Sequence, residues 1–155
     1  MPWRKLVGKF THTKAQVTGG KIPKEFGEIA LNNINAFSVA RRKILLAEIR
    51  SAKKGVNFKE FMLGVGDREG ELFSRVATKA ALERIKIKNV DTNLIAEKVF
   101  LLKRELISIN EFSSFVQAQG VPHDKVVDLA NLAKGNIDLI LTEMILQLEK
   151  HDSYN

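Results

Sequence analysis

The segment ARRKILLAEIRSAKK, residues 40–54, places six basic residues and one acid around an apolar run. Lysine ammonium and arginine guanidinium groups at this density do one kind of chemistry well: they neutralise anions, phosphate oxygens above all. On a helix turning about 100° per residue, Arg50 and Lys54 fall within about 20° of Lys43, and Arg42 and Lys53 flank them. The apolar residues centre on the opposite side, so the core does not use this stripe. Arg41 alone falls on the apolar side, and Glu48 is a candidate partner for it there.

The N-terminal stretch extends the same chemistry. Residues 1–24 hold Arg4, Lys5, Lys9, Lys14, Lys21 and Lys24 and no acid. Residues 1–90 carry 19 basic and 8 acidic residues, a net +11, whereas residues 91–155 carry 6 and 10, a net −4. Solvated helix faces ordinarily mix signs to gain i,i+4 pairs, yet Glu48 is the only acid between Glu28 and Glu60. Charge segregated in this way points to an anionic partner. Phosphate backbones are the commonest dense one, and each neutralised phosphate adds affinity without sequence choice.

The expected function is that of a non-catalytic accessory or assembly protein that binds nucleic acid, DNA or RNA, through its phosphate backbone. The residues expected to contact it are Arg4, Lys5, Lys9, Lys14, Lys21, Arg42, Lys43, Arg50, Lys53 and Lys54. The alternative is a structural subunit or adaptor of a larger assembly, whose basic surface docks an acidic protein. Trp3 and Phe10 interleave with the basic residues of the arm. They fit a staple holding the arm to the body better than a platform for bases. An anionic membrane surface is disfavoured, because the apolar helix face is needed by the core.

Other chemistries are poorly supplied. The chain has no cysteine, which removes disulfides, a thiolate nucleophile and cysteine-ligated zinc, and fits a cytoplasmic or other reducing compartment, or the inside of a nucleoprotein particle. His12, His123 and His151 offer no pair with metal-ligand spacing on one helix face. GVGDREG contains a G-x-G, but no strand precedes it and no Lys-Ser/Thr follows, so it reads as a turn rather than a phosphate loop. No catalytic residue, metal or cofactor is expected. Neither a signal-peptide core nor a charge-free window of membrane-spanning length is visible.

These residues must be positioned by helices. With 155 residues and 45% hydrophobic content, the chain has the size of one domain and enough apolar residues for a core. The pattern predicts an all-α fold of about four principal helices in a bundle. A basic, non-helical N-terminal arm spans residues 1–24 and a helical bundle domain spans residues 25–155. The first helix is expected from Phe26 to Gly55, with Leu31, Ile34, Phe37, Ile44, Leu45, Ile49 and Ala52 on one face. A second begins near Asn57 and is interrupted by LGVGDREG. A long helix follows from Asp67 to Lys88, in whose final RIKIK the cations Arg84, Lys86 and Lys88 alternate as in a frayed end. NVDTN reads as a turn with an N-cap, leading into a helix over 94–107. Ser108 and Glu111 form a capping box, and Gly120-Val121-Pro122 makes a firm break before the last helix, which has a weak point at Gly135.

Residues 111–135 resemble a helix-turn-helix in outline, with Phe115, Gly120, Val121, Val126 and Leu129 at its apolar and turn positions. Gln119 departs from that pattern. The would-be recognition helix also presents His123, Asp124, Lys125 and Asp128, which do not suit phosphates, so ordinary packing explains these residues. The last helix is apolar nearly all round. Such a helix is either central in its own bundle or shared with a second chain. The modest chain length favours sharing, with Leu139, Ile140, Met144, Leu146 and Leu148 expected at a homo-oligomer interface.

Overall fold

Helices in this protein end where local chemistry stops them. The computed structural model describes residues 22–51 and 58–153. These form α1 (Lys24–Ala36), α2 (Val39–Ser51), α3 (Phe58–Val65), α4 (Asp67–Arg84), α5 (Thr92–Lys103), α6 (Ile109–Ala118), a 3₁₀ turn (His123–Lys125) and α7 (Val126–Ser153). The described residues are therefore all-helical, as expected, with seven α-helices among them instead of four. Lys24, assigned from the sequence to the arm, opens α1 and pairs with Glu28 at 3.8 Å.

The expected first helix is two helices. Phe37 is extended (φ −81°, ψ 146°), and the Ser38 hydroxyl accepts the Arg41 N–H at 3.1 Å in the manner of an N-cap. The Arg42 guanidinium donates to the Phe37 carbonyl at 3.1 Å and holds the corner. This break resets the helical phase. Ile34, Phe37, Leu45 and Ile49 are buried, whereas Leu31 and Ile44 from the same expected apolar face are exposed.

Three helices end in the same hydrogen-bonded pattern. Past α4, α5 and α6, a left-handed residue is followed by an N–H that reaches back five positions: Ile87 to Leu82 at 3.0 Å, Leu106 to Leu101 at 2.9 Å, Val121 to Val116 at 2.9 Å. These are Schellman caps. The left-handed residues are Lys86 (φ 61°), Glu105 (φ 61°) and Gly120 (φ 109°), so only one of them is glycine. RIKIK is therefore a capped stop after Arg84, not a helix continuing to Lys88. Helix starts are equally local. Asp91 accepts the Leu94 N–H at 3.1 Å, and Ser108 with Glu111 completes the capping box. Pro122 sits as the N-cap of the 3₁₀ turn, and α7 runs unbroken through Gly135.

α7 is the axis of the bundle, packed against α1, α2, α4, α5 and α6. Leu139, Ile140, Met144, Ile145 and Leu148 along it are at most 1% exposed. Each such side chain contributes about 1.5–3 kcal/mol by leaving water. Its all-round apolar character thus reflects encasement within its own chain, against the expectation from chain length. Shorter helices suffice to surround it because α4 and α5 also pack on each other. Gly66 (φ +109°) turns the chain between α3 and α4, a conformation that L side chains rarely adopt. At Gly70 a Cβ would come within 2.6 Å of the Phe100 ring, so the small residue permits the close approach of α4 and α5. No helix among the described residues is long and apolar enough to cross a membrane.

Candidate nucleic-acid interface

α2 carries the described part of the expected phosphate stripe. Lys43 is exposed and, with Arg50, Leu46, Ala47 and Ser51, lines a shallow depression of about 490 Å³. Arg42 is not on that surface. It lies over the buried side of α2, next to the plane of Leu45 and Ile49, and its guanidinium is committed to the Phe37 carbonyl. Arg50 reaches across to α7 and donates to Glu149 at 3.2 Å and 3.3 Å. Lys53 and Lys54, like Arg4, Lys5, Lys9, Lys14 and Lys21 and the aromatics Trp3 and Phe10, lie outside the described residues.

Arg41 is the expected exception and behaves as one, with different partners. It donates to the Val65 carbonyl and, at 3.4 Å, to the Gly64 carbonyl, both at the C-terminus of α3. It also faces Glu69 of α4 at 3.8 Å and stacks 4.1 Å from the Phe37 ring centre. Glu69, rather than Glu48, is its acid. One guanidinium therefore satisfies the open carbonyls of one helix end and an acid in the first turn of the next, where the dipoles favour each.

The charge balance divides cleanly along the chain. Residues 22–51 and 58–153 hold 18 basic and 18 acidic residues, so the helical body is neutral. The whole net +7 comes from Arg4, Lys5, Lys9, Lys14, Lys21, Lys53 and Lys54, in residues 1–21 and 52–57. Residues 1–21 lead towards α1 and residues 52–57 follow α2, and both helices pack on α7. Gly27, in the first turn of α1, faces Glu143, with 3.8 Å between the carboxylate and where a Cβ would stand. Arg50, in the last turn of α2, holds Glu149. Those two acids are about 9 Å apart along the α7 axis.

Four of the five residues expected at an oligomer interface, Leu139, Ile140, Met144 and Leu148, are instead inside this chain's own core. Leu146 alone is exposed, at 39%. In the stretch that resembles a helix-turn-helix, Phe112, Val116, Val121, Val126 and Leu129 are buried and pack α6 and the 3₁₀ turn onto α7. His123, Asp124 and Asp128 face solvent.

A second recess, about 790 Å³, lies between the ends of α4 and α5 and the first half of α7. Ile85, Leu102 and Leu132 supply its apolar wall, and Lys103, Glu105, Asp128, Lys134 and Asp138 its charges. Lys103 and Asp138 close a 2.7 Å ion pair there, which ties α5 to α7. Among the described residues no group of three or more His, Cys, Asp or Glu could hold a metal ion. In comparisons with known proteins, no family model matches the chain, no curated protein matches its sequence and no solved structure matches its fold.

Proposed function

We propose that this protein is a non-catalytic accessory or assembly factor that binds nucleic acid through the phosphate backbone. The observation that supports the reading is the separation of charge from fold. A neutral helical body carries two acid-free segments, residues 1–21 and 52–57, that together account for the net +7. A fold stabilised for its own sake gains from mixed signs, because like charges self-repel. An excess held in two short segments suits a partner with closely spaced negative charge, as a phosphate backbone has.

The reading is tested with the full chain. Fluorescence anisotropy with labelled duplex and single-stranded oligonucleotides should show binding that weakens linearly in log affinity against log salt. Protein isolated at low salt should carry a nucleic-acid absorbance excess that high salt removes. Replacing Lys5, Lys9, Lys53 and Lys54 together by Gln should lower affinity while leaving the circular dichroism spectrum unchanged. Absence of binding to either nucleic acid at low salt overturns the reading. If polyglutamate binds under those same conditions, the basic segments serve an acidic protein instead.

A further inference from the structure

Resting on that reading, we infer that the body itself meets the phosphates through the outer face of α4, where Arg68, Arg75 and Lys79 form one line. Spacings of seven and four residues place the three within about 20° of a common direction on the helix. The line is about 16 Å long at 1.5 Å per residue. All three side chains are exposed. The inner face of α4, made by Phe73, Ser74, Ala77, Thr78 and Ala81, is fully buried, so the line is fixed on a rigid support.

The three cations differ from those that tie the helices together. Arg41, Arg42, Arg50, Lys59, Lys103 and Arg104 are all engaged with carboxylates or carbonyls. Arg68, Arg75 and Lys79 have no ion pair or hydrogen-bond partner among the described residues. Glu71 precedes Arg75 by four positions and Glu83 follows Lys79 by four, the spacing at which helix pairs form. Neither acid closes one among the described residues. Arg75 and Lys79 are themselves a like-charged i,i+4 pair, an arrangement that is mildly unfavourable in isolation.

A line of this kind fits a phosphate backbone better than a single anion. Duplex DNA presents about one charge per 1.7 Å of axis, so a 16 Å line passes several phosphates. Two of the three groups are guanidinium forks, which bind phosphate oxygens in pairs. Leu72, 40% exposed, stands between Arg68 and Arg75 and offers an apolar contact for sugar edges. Contacts of this type carry no direct sequence information, so the face sets affinity and orientation rather than sequence choice.

The test uses the full chain and the triple variant R68E/R75E/K79E, with R68Q/R75Q/K79Q as a second variant should charge reversal disturb folding. Thermal melts establish that the variant used is folded. Anisotropy is then measured over a salt series with labelled duplex and single-stranded oligonucleotides. The expected result is at least a tenfold loss of affinity at low salt and a log–log slope shallower by about 2–3, at 0.7–0.9 per lost contact. If the parent chain binds with a clear salt dependence and the folded variant keeps both affinity and slope, the α4 face is not the docking surface, while the wider reading stands. If the parent chain binds neither oligonucleotide, both fail together. Binding to polyglutamate alone, lost in the variant, would reassign this face to an acidic protein.

Discussion

α2 and α4 both lean on α7, and both carry several cations. Those cations have different fates. On α2 the cations Arg41, Arg42 and Arg50 are bound respectively to the end of α3, the Phe37 carbonyl and Glu149 of α7. Of the described α2 cations only Lys43 points outward without an assigned partner. On α4, Arg68, Arg75 and Lys79 are all outward and unpaired among the described residues. The difference comes from neighbours rather than spacing. α2 is a short helix entered by a sharp corner, with α3 and the tail of α7 alongside it. α4 is deeply seated through one face and leaves the other open. A periodic line of charge identifies a face, and the surrounding elements decide whether its charges are available.

The largest effect expected from breaking this comparison is removal of the support that both helices share. Leu139 is fully buried in α7, and Leu139→Glu puts a carboxylate into that site with no cation prepared for it. The cost should exceed about 4 kcal/mol, a large part of a small domain's stability. Circular dichroism should show loss of the cooperative melt. Leu146→Glu, at the exposed edge of the same helix, should shift stability by no more than about 0.5 kcal/mol. Equal behaviour of the two variants would mean that α7 is not encased as described. The pair also replaces an expectation from the sequence, that both changes would act on self-association.

The next effect isolates the engaged half of the comparison. Arg41→Ala removes the donors at the α3 terminus, the contact with Glu69 and the stacking on Phe37. The expected loss is about 1–3 kcal/mol, the range for hydrogen bonds to charged groups whose partners are left behind. It would be read as a shift of the urea midpoint at constant m-value. Affinity for oligonucleotides should stay within twofold once the folded fraction is taken into account. A variant of unchanged stability and much weaker binding would place Arg41 on the α4 side of the comparison.

What could be read from the sequence was local. The Ser108–Glu111 box, the Asp91 cap and the Gly120–Pro122 break each depend on residues within four positions, and all appear where their spacing puts them. The all-helical class followed from periodicity. The corner at Phe37–Ser38 also left a trace. Apolar spacing runs regularly from Phe26 through Ala30 and Ile34 to Phe37, then meets Arg41 where the next i+4 apolar residue should stand. Reading across that gap as one helix put Ile44 on the core face, where the structure exposes it; Arg42 lies about 20° from Ile49 on the wheel, and its half-buried place follows from that spacing. The Arg50–Glu149 pair spans 99 positions and leaves no local trace. Nor does the encasement of α7, since the same apolar girth would serve a bundle axis or an interface. The α4 line had the spacing signal in full. It was masked by Glu71 and Glu83, which flank the line at i,i+4 spacing and make the segment read as mixed charge; only the structure shows that neither acid closes a pair with it among the described residues.

The smallest effect expected is also the finest test of how α2 differs from α4. Arg50 and Glu149 are 3.2 Å apart, with side chains 45% and 16% exposed, so the pair sits at the rim rather than in the core. Ion pairs of this kind contribute about 0.2–1 kcal/mol, because water screens them and two long side chains must be held in place. A cycle of Arg50→Gln, Glu149→Gln and the double change should give a coupling energy within that range, read from urea midpoints. The same Arg50→Gln variant should leave the salt slope of oligonucleotide binding unchanged, because its guanidinium is occupied by α7. Arg75→Gln, a single neutral change on α4, should lower that slope by about 0.7–0.9 and leave stability within about 0.5 kcal/mol. The contrast is in the direction of the two responses, one seen in folding and the other in binding. If Arg50→Gln lowered the slope and Arg75→Gln did not, the outward surface would belong to α2, and the line on α4 would be only a solvated face.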